Sequence, residues 1–161
     1  MPRPENLEIE RKFLVDPDFP QTLDDGRNII QGYLPTSGYV SVRVRLIPSA
    51  EIYMLTTKGP RRNDIRIEEE QQVRLGIAEM LLAACGDRVI EKVRYLVTSD
   101  KDLKPWVVDV FHGLNEGLVI AEIELDEEGE TFEAPTWVTA DVTLDERYYN
   151  EYLADHPFCT W

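Results

Sequence analysis

At 161 residues, 43 % apolar and 30 % charged, the chain is long enough to bury a core without covalent staples and reads as a single domain over 1–161. The formal net charge of −14 argues against a phosphate-backbone-binding surface, which needs positive patches, so no nucleic-acid partner is expected. No apolar run approaches the roughly 20 residues that span a bilayer, and Met1 to Asn6 shows no signal-peptide pattern, so no membrane partner is expected either.

Alternation of side chains predicts strands over about 6–15, 28–35, 39–47, 51–58, 64–73, 88–98, 106–112 and 118–126. In the first strand, Glu8, Glu10 and Lys12 share one face, while Leu7, Ile9, Arg11 and Phe13 take the other. The same arrangement recurs. Arg43 and Arg45 oppose Val42, Val44 and Leu46; Thr56 lies with Lys58; and Arg66, Glu68 and Glu70 align. Leu75 to Cys85 reads as a compact apolar helix with Gly86 as its stop signal, and Cys85 as a buried thiol. Lys92 and Arg94 then share a face, as do Glu122 and Glu124. Turn signals separate these elements at Asp24-Asp25-Gly26, Thr36-Ser37-Gly38, Pro48-Ser49, Gly59-Pro60, Asn115-Glu116-Gly117 and Glu128-Gly129. Near the C-terminus, Asp145 or Thr143 could cap a helix from about Glu146 to Ala154, with Tyr148, Tyr152 and Leu153 as a packing stripe.

Short links between so many strands predict a mainly β, α+β fold: an eight-stranded antiparallel β-barrel or highly curved sheet with a few packing helices, one of them C-terminal. Each charged row alone reads as a solvated sheet face. Together, basic pairs on some strands and acidic pairs on others suit a closed barrel with a wet, charged interior. Converging arginines and lysines would grip a dense anion. Carboxylates in the same space would repel that anion unless a divalent metal such as Mg2+ or Mn2+ lay between them. The alternative is a set of cross-strand ion pairs, which leaves the doubling of like charges within one strand unexplained.

Other chemistries have less support. Cys85, Cys159, His112 and His156 have no metal-ligand spacing, and no glycine-rich nucleotide loop is present. Ser41 and Ser99 have no nucleophile-and-base context. The cysteine usage fits a reducing, cytoplasmic setting.

The motif Glu8-x-Glu10-x-Lys12 resembles the signature of the CYTH, or triphosphate tunnel metalloenzyme, superfamily. The resemblance continues in order through Gln31-Gly32-Tyr33-Leu34, Val42-Arg43-Val44-Arg45, Thr56-Thr57-Lys58-Gly59 and Arg66-x-Glu68-x-Glu70. It ends with Glu91-Lys92-x-Arg94-Tyr95, Asp109, Glu122-x-Glu124 and Val142-Thr143-x-Asp145-x-Arg147-Tyr148-x-Asn150. A lone Glu-x-Glu-x-Lys is weak; the ordered set is specific.

The resemblance implies an antiparallel tunnel binding triphosphate with Mg2+ or Mn2+, closest to short bacterial members that hydrolyse inorganic tripolyphosphate. Carried over by position, Glu8, Glu10, Glu122 and Glu124 would bind metal. Glu68, Glu70 and Asp109 would serve a second metal or orient water. Arg43, Arg45, Lys58, Lys92, Arg94 and Arg147 would hold phosphates, with Arg66 as a further candidate. Lys12 is the candidate general base or water-positioning residue, and Tyr33 a candidate for closing or positioning the site. The expected activity is an inorganic triphosphatase on a small-molecule substrate, and a homodimer is compatible with it. Competing readings are a class IV adenylate cyclase, an organic triphosphatase acting on thiamine or nucleoside triphosphates, and a polyphosphate-binding module without turnover. The turn Pro60 to Asp64 and the hairpin Leu46 to Glu51 are less typical and bear on access to the tunnel.

Overall fold

The computed structural model describes residues 7–99 and 102–161. Its strands are β1 (Leu7–Val15), β2 (Arg27–Tyr33), β3 (Ser41–Ile47), β4 (Ile52–Lys58), β5 (Ile65–Gln72), β6 (Val89–Ser99), β7 (Asp102–Phe111), β8 (Val119–Glu124) and β9 (Val138–Asp141). Helix α1 (Leu75–Ala84) joins β5 to β6, and α2 (Asn150–Asp155) lies near the C-terminus. The order β5-β4-β3-β2-β6-β7-β8-β1 closes on itself through β1–β5, every pair antiparallel, and β9 is added along β1. This is the closed eight-stranded barrel expected from the alternation. The expected strand start at Asn6 and the leader reading of Met1 to Asn6 lie outside the described residues.

β1 is the junction of the barrel. One of its edges pairs with β8 from Glu10 to Leu14. The other edge is shared, Leu7 to Ile9 pairing with β5 and Phe13 to Val15 with β9. The sequence reading gave no strand to Val138–Asp141. Only Val138 is even partly buried there, so the segment has no apolar alternation to detect.

Charges turned inward leave much of the apolar core on the outside of the wall. Ile9, Phe13, Val15, Trp106, Val108, Ala121 and Ile123 project outward from β1, β7 and β8 and are covered by Phe19, Phe132 and Trp137. Trp106 is fully buried, edge-on to Phe13, Phe132 and Trp137 at 5.6–5.7 Å. On the opposite side α1 packs Ala78 and Cys85 against Val44 and Leu46. A Cβ at Gly32 would lie 2.6 Å from Cys85 Sγ, so the glycine in β2 lets the helix approach the sheet. Gly86 takes φ +59° just past the helix, a conformation glycine adopts without penalty, as the stop signal implied.

Inside the barrel the rows become apolar at one end. Leu14, Tyr33, Ile90, Phe111 and Ile120 pack there beneath Leu153 of α2. The expected helix over Glu146–Ala154 is split. Asp145 caps a single 3-10 turn at Glu146–Tyr148, Tyr149 is extended (φ −76°, ψ 136°), and α2 begins at Asn150. Tyr149 Oη donates to the Thr143 carbonyl at 3.0 Å, which holds the break in place. The aromatic stripe divides accordingly: Tyr148 meets Trp161, and Tyr152 stacks on His156. Among the described residues no helix is long and apolar enough to cross a membrane.

Candidate active site

Because successive strand residues alternate faces, each charged row of the sequence becomes one stave of the barrel's inner surface. The staves enclose a cavity of about 780 Å³ lined by Glu8, Glu10 and Lys12 of β1, Arg43 and Arg45 of β3, and Lys58 of β4. Arg66, Glu68 and Glu70 of β5, Arg94 of β6, Glu122 of β8 and Tyr33 of β2 complete the expected part of the lining.

One side of this cavity is a continuous chain of ion pairs. Lys92 Nζ donates to Asp109 Oδ2 at 2.6 Å and to Asn150 Oδ1 at 3.0 Å. Arg94 grips the same carboxylate with two bonds of 2.7 Å and reaches Glu122 Oε2 at 3.4 Å. Glu122 in turn accepts from Lys12 Nζ, which also lies 3.1 Å from Glu10 Oε1. Burial disfavours the Asp109 carboxylate, yet Arg94 and Lys92 overcome it and hold its pKa near about 2. Burial likewise opposes the Lys12 ammonium, but Glu10 and Glu122 outweigh it and keep Lys12 above the ordinary lysine range.

A second cluster lies at β1, β4 and β5. Lys58 Nζ donates to both Glu8 oxygens, at 2.9 and 2.7 Å, and pairs with Glu68. Burial and the nearby Glu10 charge push the Glu8 carboxyl up to about 7, while Lys58 overcomes burial to hold Glu68 at about 2. Beside them Arg43 Nη2 donates to Thr56 Oγ1 at 3.1 Å and Glu70 Oε1 at 3.2 Å, leaving its buried Nε without an acceptor.

Arg45 differs from all of these. Its Nε donates to the amide oxygen of buried Gln31 at 3.1 Å, and Gln31 Nε2 donates to Tyr33 Oη at 3.0 Å. Among the described residues no carboxylate forms an ion pair with Arg45. Burial, together with the positive charge of Arg43 and Arg94, pushes its pKa down to about 9. Arg66 likewise gives its Nε to the Gly59 carbonyl at 2.6 Å rather than to a carboxylate.

Some expected residues stand elsewhere. Lys92 and Asp109 are inside the barrel but wholly buried behind the lining, engaged with each other. Glu124 is exposed at the end of β8 and does not line the cavity. Arg147 is outside it, its side chain 57 % exposed, bonded to Asp145 at 2.6 Å and set against Tyr148 and Trp161. Strand parity gives a side chain's face but not its depth along the barrel, and Arg147 is on no strand. Gln31 and Asn150, quoted in the motifs without a role, and Arg61 also reach the site. Gln31 carries no charge, Arg61 is on a turn, and Asn150 opens the short second helix. Gln31 shares the parity of Tyr33 and could have been found that way.

Among the described residues no three acidic, histidine or cysteine side chains stand as a ready chelating array, because the carboxylates are drawn onto Lys12, Lys58, Arg61 and Arg94. Their chemistry nevertheless fits a hard divalent cation. Glu8, Glu10, Glu68 and Glu122 offer only oxygen donors to one cavity, and Glu8 and Glu68 converge on the single ammonium of Lys58, a carboxylate surplus that such an ion would relieve.

The CYTH domain family model matches residues 6–152. An inorganic triphosphatase of Acetivibrio thermocellus is 41 % identical over 152 residues, covering 94 % of this chain and 95 % of its own length. The crystal structure of the inorganic triphosphatase NE1496 superposes with a TM-score of 0.64 at 33 % identity, covering 91 % of this chain and 93 % of its own. A putative adenylate cyclase from Bacillus halodurans shares the fold at 16 % identity and a TM-score of 0.59, over 76 % of this chain and 83 % of its own. With the barrel, its inward charges and these likenesses together, the chain belongs to the CYTH domain family.

Proposed function

We propose that this protein is a Mg2+- or Mn2+-dependent phosphohydrolase that cleaves inorganic triphosphate into pyrophosphate and phosphate within the barrel. The observation that carries the reading is Arg45. A half-buried guanidinium lining the cavity, oriented by Gln31 and lacking a carboxylate, is complementary to an anion that enters from solvent. The likeness to two inorganic triphosphatases supports the same substrate.

Arg43, Arg45, Arg66 and Arg94 would bind phosphoryl oxygens, and Lys58 would add a point charge. Glu8, Glu10, Glu68 and Glu122 would hold the divalent ion, which supplies neutralisation of the charge on the transferred phosphoryl group. Hydrolysis joins a water oxygen to a terminal phosphorus while the bridging P–O bond breaks, its electron pair departing with pyrophosphate; one water proton stays on the phosphate formed and the other passes to the pyrophosphate oxygen released. Lys12 already gives its protons to Glu10 and Glu122, so it acts as a donor that positions water and not as the proton acceptor. Tyr33 acts through Gln31 on the aim of Arg45. Glu70 orients Arg43, while Lys92 and Asp109 fix Arg94 from behind. The reading places the whole reaction in a single domain over 1–161. A cytoplasmic location is supported by the unpaired Cys85 and Cys159.

The test is incubation of the protein with tripolyphosphate, thiamine triphosphate and ATP in Mg2+ or Mn2+, with phosphate and cyclic AMP assayed separately. Phosphate release from tripolyphosphate is expected to dominate. Cyclic AMP from ATP with no phosphate from tripolyphosphate would overturn the proposal.

A further inference from the structure

Arg61 is a cavity-lining cation that fits no strand pattern. It lies on the turn between β4 and β5, where Asn63 takes φ +55° and the backbones of Arg62 and Ile65 bond reciprocally at 2.9 and 3.0 Å. That tight turn sends the Arg61 side chain back over the barrel, where it lines the cavity. Its guanidinium carbon stands 4.6 Å from the ring centre of Tyr149, the residue that breaks the C-terminal helix. Its Nη2 donates to Glu10 Oε1 at 3.3 Å, near the long limit for such a bond. The remaining groups, Nε and Nη1, are buried and have no acceptor.

Leaving two charged N–H groups desolvated and unpaired is costly, and few native side chains do so without a ligand to receive them. The Tyr149 face holds the guanidinium plane in place without using any of its donors. A purely structural arginine would have its donors answered within the chain, as Arg88 does, with Nη1 on the Tyr33 and Leu34 carbonyls and Nε and Nη2 on Asp155.

We infer that Arg61 is a substrate-binding residue that reaches into the cavity from the β4–β5 turn, offering Nε and Nη1 to phosphoryl oxygens of the bound triphosphate while Tyr149 holds its plane. This rests on the reading of the cavity as a tripolyphosphate site and adds to it a contact from outside the barrel staves. Binding then depends on the break between the 3-10 turn and α2, because a continuous helix would move the Tyr149 ring.

The test is calorimetric titration of tripolyphosphate into the intact protein without divalent ion, alongside steady-state kinetics with Mg2+. Arg61→Ala and Tyr149→Leu are compared with Arg45→Ala, and thermal unfolding is followed for each. Arg61→Ala is expected to weaken metal-free tripolyphosphate binding about ten- to a hundredfold and to raise KM more than it lowers kcat. Tyr149→Leu is expected to give a smaller loss in the same direction. Arg61→Lys, which keeps the charge but loses the fork, should recover part of the affinity. Affinity unchanged in Arg61→Ala while Arg45→Ala loses it would overturn the inference and leave the cavity reading standing. Failure of the unsubstituted protein both to bind tripolyphosphate and to hydrolyse it with Mg2+ would overturn both.

Discussion

The two sides of the cavity use the same residue types in opposite ways. On the β6–β7–β8–β1 side, Lys92, Asp109, Arg94, Glu122, Lys12 and Glu10 are joined into one network, each charge answered within the chain. On the β2–β3 side, Arg45 is held by a neutral amide and Arg43 keeps an orphan Nε. The difference separates two tasks that a count of charges would merge. The saturated side fixes geometry, and the unsaturated side is where an incoming anion gains most.

The largest expected effect is on the saturated side. Asp109→Ala would leave Lys92 and Arg94 buried without their shared carboxylate, and denaturant unfolding should show a loss of about 3–5 kcal/mol. Asp109→Asn, of nearly the same shape, should also destabilise, which would separate charge from packing. A loss below about 1 kcal/mol in both variants would show that the network does not hold the wall.

Acid titration probes the same carboxylate without substitution. Arg94 and Lys92 hold Asp109 at about 2 in the folded chain, below its ordinary 3.8. A depressed acid contributes stability that is complete above the unfolded pKa and is lost as pH falls through the folded one. The Asp109 share should therefore fade between about pH 4 and pH 2. Unfolding curves across that window should be steeper in pH for the unsubstituted protein than for Asp109→Asn; equal slopes would contradict the assignment.

On the unsaturated side the effect should move from stability to binding. Arg45→Ala should cost about 2 kcal/mol of tripolyphosphate affinity, read by calorimetry, because it removes a charge partner of the bound anion. Its folding stability should stay the same or rise, since an uncompensated cation is removed from the interior. Marked destabilisation with unchanged affinity would reverse the roles given to the two sides. The smallest effect belongs to Arg147, which is outside the cavity and paired with Asp145. Arg147→Ala should change KM less than twofold and stability by no more than about 0.5 kcal/mol.

Much of this was legible in the sequence because a strand repeats every two residues. Arg43 with Arg45, Glu68 with Glu70, and Glu8 with Glu10 and Lys12 could each be assigned to one face, and the mixture of signs implied an enclosed interior. Depth was not legible. Lys92 and Arg94 share a face, yet Lys92 is sealed behind the lining while Arg94 reaches it. Nor was anything set by the backbone between strands: Arg61 arrives through a left-handed Asn63, and the helix break at Tyr149 depends on a bond to Thr143 that no local pattern announces. The strand Val138–Asp141 is pinned to β1 by its edge and not by apolar side chains, so propensity alone passes over it.

The shared edge of β1 has a consequence for how the molecule is made. Lys12 accepts from Val142 N at 2.9 Å and donates its own backbone N–H to Thr143 Oγ1 at 3.0 Å, a separation of 131 residues. Its neighbour on the opposite edge, β8, begins only at Val119. During synthesis β1 therefore waits, unpaired on that edge, until the chain has emerged from the ribosome beyond Val119. Closure of the barrel must be a late, long-range event, and assembly should be slow compared with helical proteins of similar length.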